Sequence, residues 1–330
     1  MTTYERRFEQ FRRMVDHRLR SLIRGTEPEE LFDACRYVLS SGGKRIRSTV
    51  LMLSCEAVGG TVSESLEAGT AIEIMHNFTL VHDDIMDNAN SRRGRPTVHK
   101  RWDVNNALLV GDVLLGVAYH TLLDTRRANI GLLVDLFTSG LLDVCEGQAL
   151  DLAFERRTDV SVRQYYRMIE KKTGRLIAVA AEMGAVIGRG SSRETAALRE
   201  FGLYLGRAFQ LQDDLLDVTA DEKDFGKVVG GDILEGKKTF LLLRAAERAR
   251  GDDKKIIDGI LKRKPVSASD RKRLVSRVTS IYRRYGVLDE GEEEVTRNTR
   301  KAIAALERLK RRDATRMLRW LAERLMNRVS

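Results

Sequence analysis

Apolar residues recur at intervals of three and four along nearly the whole of this chain, and this periodicity limits its fold more than any other feature. Proline, which breaks helices, occurs only at Pro28, Pro96 and Pro265, and aromatic residues make up only 6% of the chain. With 42% apolar residues, the chain can also bury a large core. The sequence therefore predicts an all-α protein, a helical bundle formed by one domain spanning residues 1–330.

Turn-forming segments divide this pattern into separate helices. No linker is long enough to separate domains, which favours a single domain. The helices are predicted over about 5–24, 28–40, 44–58, 63–88, 104–124, 129–152, 161–188, 193–218, 233–250, 253–263, 268–286 and 288–328, the last with an interruption.

The cysteines and the hydropathy pattern indicate a soluble, cytoplasmic protein. Cys35, Cys55 and Cys145 have no metal-ligand spacing, and an odd number without a signal peptide favours reduced thiols that fill the core. No apolar run approaches the ~18 residues that span a bilayer.

The net charge of +10 is concentrated in a basic C-terminal helical segment, residues 301–330, which carries nine Lys or Arg against three acidic residues. The same segment has apolar residues at helical spacing: Met317, Leu318, Leu321 and Leu325. It could contact an anionic membrane surface. A helix docked by its apolar face, with its arginines in water, is the favoured interpretation.

Two acidic motifs with the same spacing end apolar helices. The first acidic motif (Asp83, Asp84, Asp87) lies in H-D-D-I-M-D at 82–87, and the second (Asp213, Asp214, Asp217) lies in Q-D-D-L-L-D at 212–217. Carboxylates four residues apart share a helix face and repel one another, and their neighbours in sequence are apolar. Oxygen ligands in this arrangement suit Mg²⁺, which binds one or two carboxylates together with substrate phosphates. The motifs predict a magnesium site for a phosphate-bearing substrate.

Three basic segments supply groups for a second phosphate: G-G-K-R-I-R (42–47), R-R-G-R (92–95) and K-K-T-G-R (171–175). Each alone reads as a solvated charge cluster. Together they indicate that one diphosphate is bound through Mg²⁺ and prepared to leave, whereas another is held directly by Lys and Arg.

These motifs resemble those of the trans (E)-isoprenyl diphosphate synthases, a family that includes farnesyl and geranylgeranyl diphosphate synthases. The resemblance covers about residues 30–245, with the site motifs within 42–240, including H-N-F-T-L-V-H-D-D-I-M-D-N-A-N-S-R-R-G-R-P-T and F-G-K-V-V-G-G-D-I-L-E-G-K-K-T. It implies helices around a deep central cavity, usually in a homodimer, with the two acidic motifs facing each other across the cavity mouth. It also implies condensation of isopentenyl diphosphate with an allylic diphosphate (dimethylallyl, geranyl or farnesyl) through an allylic carbocation, with several Mg²⁺ ions bound beside the allylic diphosphate.

The resemblance assigns roles residue by residue. The basic anchor (Lys44, Arg47, His76 and Arg93) matches the isopentenyl diphosphate site. The residues that match metal ligands are Asp83, Asp87 and Asp213, and those expected to support the metal waters are Asp84, Asp214 and Asp217. The residues that match the allylic side are Arg92, Lys172, Thr173, Gln210, Lys227 and Lys237. Ser48 departs from the family pattern, because many members have proline there.

Product length depends on side chains one or two turns before Asp83, which we expect to form the floor of the cavity: Met75, Phe78 and Thr79. One aromatic residue five positions before the motif, with a small neighbour, resembles the archaeal geranylgeranyl (C20) type. Residues around Leu108 to Leu115 could deepen or close the same tunnel, so farnesyl or longer products remain alternatives.

Three other functions fit the sequence less well. A terpene cyclase also uses D-D-x-x-D, but its second metal motif differs and it needs no basic anchor. A His-Asp phosphohydrolase is disfavoured because the five histidines form no ligand set. A basic helical scaffold that binds nucleic acid would explain the C-terminal charge but not two acidic motifs, so no nucleic-acid partner is expected.

Overall fold

The structure, a computed structural model, describes residues 2–126, 128–220, 230–263, 267, 269–310 and 312–326. Within these ranges nearly all regular structure is helical, which confirms the all-α prediction. The helices in chain order are α1 (Thr3–Leu22), α2 (Glu29–Leu39), α3 (Ile46–Val58), α4 (Val62–Met86), α5 (Val98–Arg101), α6 (Val104–Leu123), α7 (Ile130–Glu155), α8 (Val162–Ile169), α9 (Arg175–Ile187), α10 (Ser192–Thr219), α11 (Gly231–Glu235), α12 (Phe240–Arg248), α13 (Gly251–Leu261), α14 (Arg271–Arg284), α15 (Val287–Leu306) and α16 (Asp313–Met326).

The chain divides into two compact units. The first comprises Met1–Leu141, Ile177–Gly202 and Leu306–Trp320, and the second comprises Leu142–Leu176, Leu203–Ala305 and Leu321–Ser330. The prediction of a single domain stays a prediction.

Helix α4 is the central element of the first unit. A capping box between Thr61 and Glu64 fixes its start, because each side chain bonds the other residue's backbone N–H. Its buried residues lie all around the helix rather than on one stripe, and α3 and α6 pack against it. Such a helix is enclosed by its neighbours. The polar side chains at its C-terminal end are therefore held on a rigid support.

In the second unit, aromatic and aliphatic side chains from eight helices form one apolar cluster. Tyr165, Phe240 and Tyr282 are among its most deeply buried members. Leu211 and Leu215 of α10 belong to the same cluster, so the helix with the second acidic motif is anchored by its apolar face.

Three local features differ from the predicted helices. A two-residue hairpin, β1 (Ser91–Arg92) paired with β2 (Arg95–Pro96), precedes the short α5, and neither was predicted. The predicted helix 161–188 contains a π-helical turn at Glu170–Gly174. The predicted helix 233–250 is broken at Gly236, whose φ of 65° favours glycine.

Two expectations need correction, and one is confirmed. Helix α6 is long and apolar enough to cross a membrane by length and composition alone, a test that the core helix of a soluble protein also passes. The expectation of no such run was therefore wrong.

Cys145 is exposed and fills no core, unlike Cys35 and Cys55. The apolar residues of α16 are buried whereas Arg316, Arg319 and Arg324 are exposed, so α16 docks by one face.

Candidate active site

The first acidic motif occupies the C-terminal end of α4. Asp87 caps the helix, and its backbone N–H donates to the Asp83 carbonyl at 2.8 Å, as expected for residues four apart. Asp83 is partly exposed and Asp87 is exposed, whereas Asp84 is buried. A helix C-terminus carries partial negative charge, so carboxylates there favour a bound cation.

Arg92 neutralises the buried carboxylate of this motif. Its Nε and Nη2 atoms each lie 2.8 Å from Asp84 Oδ1. Burial raises the pKa of Asp84 even though Arg92 opposes the shift. The residues that flank the motif in sequence supply no cation, and for Asp84 the hairpin supplies one by turning Arg92 back toward α4. The predicted contact of Arg92 with the allylic diphosphate stays a prediction.

The basic anchor is built around the loop before α3. Gly42 and Gly43 have positive φ values of 74° and 146°, and Arg93 donates to the Gly42 carbonyl and to Ser41 Oγ. A Cβ on Gly43 would lie only 3.2 Å from the Arg93 guanidinium carbon. Glycine therefore permits this close approach.

His76 completes the anchor from α4. Burial of its ring, followed by the charges of Arg47 and Arg93, lowers the pKa of His76 well below its ordinary value. The imidazole is therefore neutral, with one N–H to donate to a phosphate oxygen. The structure thus brings Arg47, His76 and Arg93 close enough to interact electrostatically. Lys44 lies in the loop before α3.

In the second unit, the π-helical turn carries Lys172 and Thr173. Lys172 Nζ lies 2.5 Å from Asp151 Oδ2, and Lys171 bridges Asp143 and Glu146 at 2.6 Å each. Widening of one helical turn is often found at functional sites. Asp151 therefore positions Lys172, one of the residues that the resemblance assigns to the allylic side.

A chain of hydrogen bonds connects this turn with the second acidic motif. Thr173 Oγ1 donates to Gln210 Oε1 at 3.0 Å, and Gln210 Nε2 donates to Asp214 Oδ1 at 3.0 Å. The Tyr165 hydroxyl donates to the other oxygen of Asp214 at 2.7 Å. These contacts fix the orientation of the Gln210 amide.

Asp217 of the second acidic motif contacts Asp232. The backbone N–H of Asp232 donates to Asp217 Oδ2 at 3.1 Å, and Lys237 lies 3.6 Å from Asp232. Burial, followed by the charge of Asp232, raises the pKa of both Asp214 and Asp217. The structure therefore gathers three predicted residues, Asp214, Asp217 and Lys237, near Asp232. Lys227 lies outside the described residues.

The carboxylates fit Mg²⁺ by their chemistry. Among the residues that the structure describes, no group of three or more His, Cys, Asp or Glu side chains is arranged to hold a metal ion. Mg²⁺ does not need such a cage, because it keeps several waters and binds through one or two carboxylates plus substrate phosphates. Asp83 and Asp213, both partly exposed, supply suitable oxygen ligands.

The predicted chain-length residues are buried in α4. The Phe78 ring packs edge-on against His82 at 4.9 Å, and Thr79 Oγ1 donates to the His76 carbonyl at 2.9 Å. His82 Nε2 in turn lies 3.3 Å from the Leu108 carbonyl of α6. These contacts fix Phe78 and Thr79 in place. The role of Met75, Phe78 and Thr79 as a floor stays a prediction.

Sequence reasoning missed three residues of this region. Asp151 and Tyr165 hold predicted site residues, and Gln148 is buried with no hydrogen-bond partner for its amide among the described residues. For Gln148 and Asp151 the available signal was the polar residues of E-G-Q-A-L-D (146–151), which lie in a helical segment that is otherwise mostly apolar.

Comparisons with known proteins show which family the chain belongs to. Residues 28–278 match the family model of polyprenyl synthetase. The chain is 40% identical over 318 residues to a short chain isoprenyl diphosphate synthase of Methanothermobacter thermautotrophicus, covering 96% of this chain and 95% of the relative. It is 44% identical over 236 residues to a geranylgeranyl diphosphate synthase of Methanosarcina mazei, covering 71% and 73%.

A solved structure is also similar. The crystal structure of geranylgeranyl pyrophosphate synthetase from Pyrococcus horikoshii superposes with a TM-score of 0.92 at 36% identity, covering 99% of this chain and 100% of the other. Nothing in these comparisons supports a nucleic-acid-binding scaffold. The chain therefore belongs to the polyprenyl synthetase family, and it is a prenyltransferase.

Proposed function

We propose that the enzyme joins isopentenyl diphosphate head to tail to an allylic diphosphate and releases diphosphate. The observation that carries this proposal is the placement of two different phosphate-binding groups on α4. His76 of the basic anchor and Asp83 are seven residues apart, so they share a helix face about 10 Å apart along the axis. Guanidinium and imidazole groups suit direct diphosphate binding, whereas carboxylates require a metal ion.

In this proposal Asp83, Asp87 and Asp213 hold Mg²⁺. When bound, Mg²⁺ supplies neutralisation of the charge that develops on the departing allylic diphosphate. Asp84, Asp214 and Asp217, with their fixed hydrogen bonds, orient the ligands and their waters.

The chain's own cations bind and orient the two substrates. Lys44, Arg47, His76 and Arg93 hold the isopentenyl diphosphate, which keeps its C–O bond. The residues that line the allylic side are Arg92, Lys172, Thr173, Gln210, Lys227 and Lys237. As the allylic C–O bond breaks, its electrons leave with the diphosphate. The isopentenyl double bond then forms the new C–C bond, and loss of a proton restores an allylic diphosphate five carbons longer.

The test is turnover by purified protein with Mg²⁺, isopentenyl diphosphate and each allylic starter: dimethylallyl, geranyl and farnesyl diphosphate. Asp83→Asn should lower kcat by at least about 100-fold, with unchanged circular dichroism. Asp289→Asn, an exposed aspartate of α15, is the matched control and should behave as wild type. Wild-type protein that consumes none of the starters would refute the proposal.

We propose that the product is geranylgeranyl diphosphate. Phe78 next to the smaller Thr79 supports this length, as do the names of several archaeal relatives. A farnesyl or longer product is the alternative, and chromatography of the reaction products distinguishes them.

We further propose a cytoplasmic homodimer. Large apolar side chains are exposed on one element of the first unit, since Val104, Leu108, Leu109 and Leu123 of α6 are all at least 44% exposed. Exposed apolar patches of this kind mark protein interfaces. For α16 we propose at most peripheral contact with anionic lipid through its exposed arginines, because its apolar face is already buried.

A further inference from the structure

Ser48 makes a buried contact that proline could not make. Its backbone N–H donates to Glu73 Oε1 at 3.1 Å, and its hydroxyl lies 3.2 Å from the same oxygen and 3.0 Å from the Arg45 carbonyl. The single hydroxyl proton is therefore shared between two acceptors. Proline has neither the N–H nor the hydroxyl.

Arg45 binds the other side of the same carboxylate. Its Nη1 lies 3.6 Å from Glu73 Oε2, its Nε lies 2.8 Å from Asp16 Oδ1, and both Arg45 and Glu73 are only 2% exposed. Arg45 also has a left-handed backbone, with φ of 49°, at the residue that caps α3. Such a conformation in a residue other than glycine is retained only where its surroundings enforce it. The Glu73 and Asp16 carboxylates provide that constraint.

These contacts involve residues next to the basic anchor on both α3 and α4. Ser48 follows Arg47 directly in the first turn of α3, and Glu73 precedes His76 by three residues in α4. The Ser48–Glu73 contact therefore ties together the two helices that carry Arg47 and His76. Glu73 also places one buried negative charge among several guanidinium groups, which offsets their mutual repulsion before the diphosphate binds.

We propose that Ser48 and Glu73 are positioning residues for the isopentenyl diphosphate anchor. This inference rests on the proposed function of the anchor. Neither side chain needs to touch the substrate. They act through Arg47 and His76, by keeping the first turn of α3 in register with α4.

The experiment compares steady-state kinetics of Ser48→Ala and Ser48→Pro with wild type. Ser48→Ala removes the hydroxyl and keeps the N–H, so the KM for isopentenyl diphosphate should rise about tenfold, as expected for loss of one hydrogen bond to a charged group. Ser48→Pro removes both donors and should raise this KM further. The kcat and the KM for the allylic substrate should stay within about twofold.

Ser54→Ala is the matched control on the same helix. Ser54 is fully buried, and its hydroxyl has no hydrogen-bond partner among the described residues. It should leave both KM values unchanged. If Ser48→Pro does not fold, Glu73→Gln keeps the side-chain volume but removes the charge, and it should show the same selective rise in the KM for isopentenyl diphosphate.

Failure of this inference is distinct from failure of the proposed function. If wild type consumes isopentenyl diphosphate but Ser48→Ala and the second variant match Ser54→Ala, the positioning role is refuted. A fall in melting temperature with equal changes in both KM values would also refute it, because it would show a general structural role. Wild type that consumes no isopentenyl diphosphate refutes the proposed function itself.

Discussion

Gly147 offers a direct test of how Lys172 is held. A Cβ on Gly147 would lie 2.2 Å from the Lys172 backbone nitrogen and 2.6 Å from its Cα. Ordinary contacts between such atoms are about 3.5 Å or longer. Gly147→Ala must therefore push the π-helical turn away from α7 by more than about 1 Å, because the atoms in the way are backbone and cannot rotate aside.

This displacement should lower kcat by about 100-fold, the usual cost of misplacing a group by 1 Å at a reacting centre. Overpacking should also lower the free energy of unfolding by about 1 to 3 kcal/mol. The measurements are product formation from labelled isopentenyl diphosphate and urea denaturation followed by circular dichroism.

Gly131→Ala in the same helix is the control. A Cβ there would meet only Asn129 Oδ1, at 3.5 Å. Because alanine favours helices over glycine by about 1 kcal/mol, this variant should be at least as stable and as active as wild type. If Gly147→Ala kept kcat within threefold of Gly131→Ala, close packing at Gly147 would not be what positions Lys172.

Three further predictions follow from burial. Phe78→Ala should lengthen the product beyond C20 in chromatography of labelled chains, and an unchanged length would refute Phe78 as the floor. Exposed Cys145 should react at once with a thiol reagent, whereas Cys35 and Cys55, whose pKa values burial raises to about 11, should react only after unfolding. Three fast thiols would contradict this. Leu109→Arg should halve the mass in light scattering, and an unchanged dimer would exclude this face of α6.

The sequence predicted most helices because apolar periodicity is a local property. It also placed Asp83 and Asp87 correctly, since a four-residue interval on a helix fixes their relation. The π-helical turn around Lys172 was not predictable in the same way. Its shape depends on the close approach of Gly147, which lies more than twenty residues earlier and carries no local signal of that contact.

The hydrogen-bond and ion-pair partners of the site residues were harder to predict from the sequence than the helices. Tyr165 and Asp214 are 49 residues apart in sequence, and Lys172 and Asp151 are 21 apart. A hydrophobic pattern indicates which face of a helix is buried, but it does not indicate which side chain of another helix meets a buried carboxylate. Every buried charge needs such a partner, so each missed partner marks a gap in the predicted site.

The two acidic motifs have one spacing but two different environments. Asp84 is compensated by the positive charge of Arg92, whereas the described hydrogen bonds to Asp214 come from the uncharged Tyr165 and Gln210. A neutral donor offsets less of the cost of burying a carboxylate than a guanidinium does. The repeat is therefore a repeat of spacing and not of local structure. The first motif depends on its hairpin, the second on the hydrogen-bond chain from Thr173, and exchanging the two segments should disrupt both.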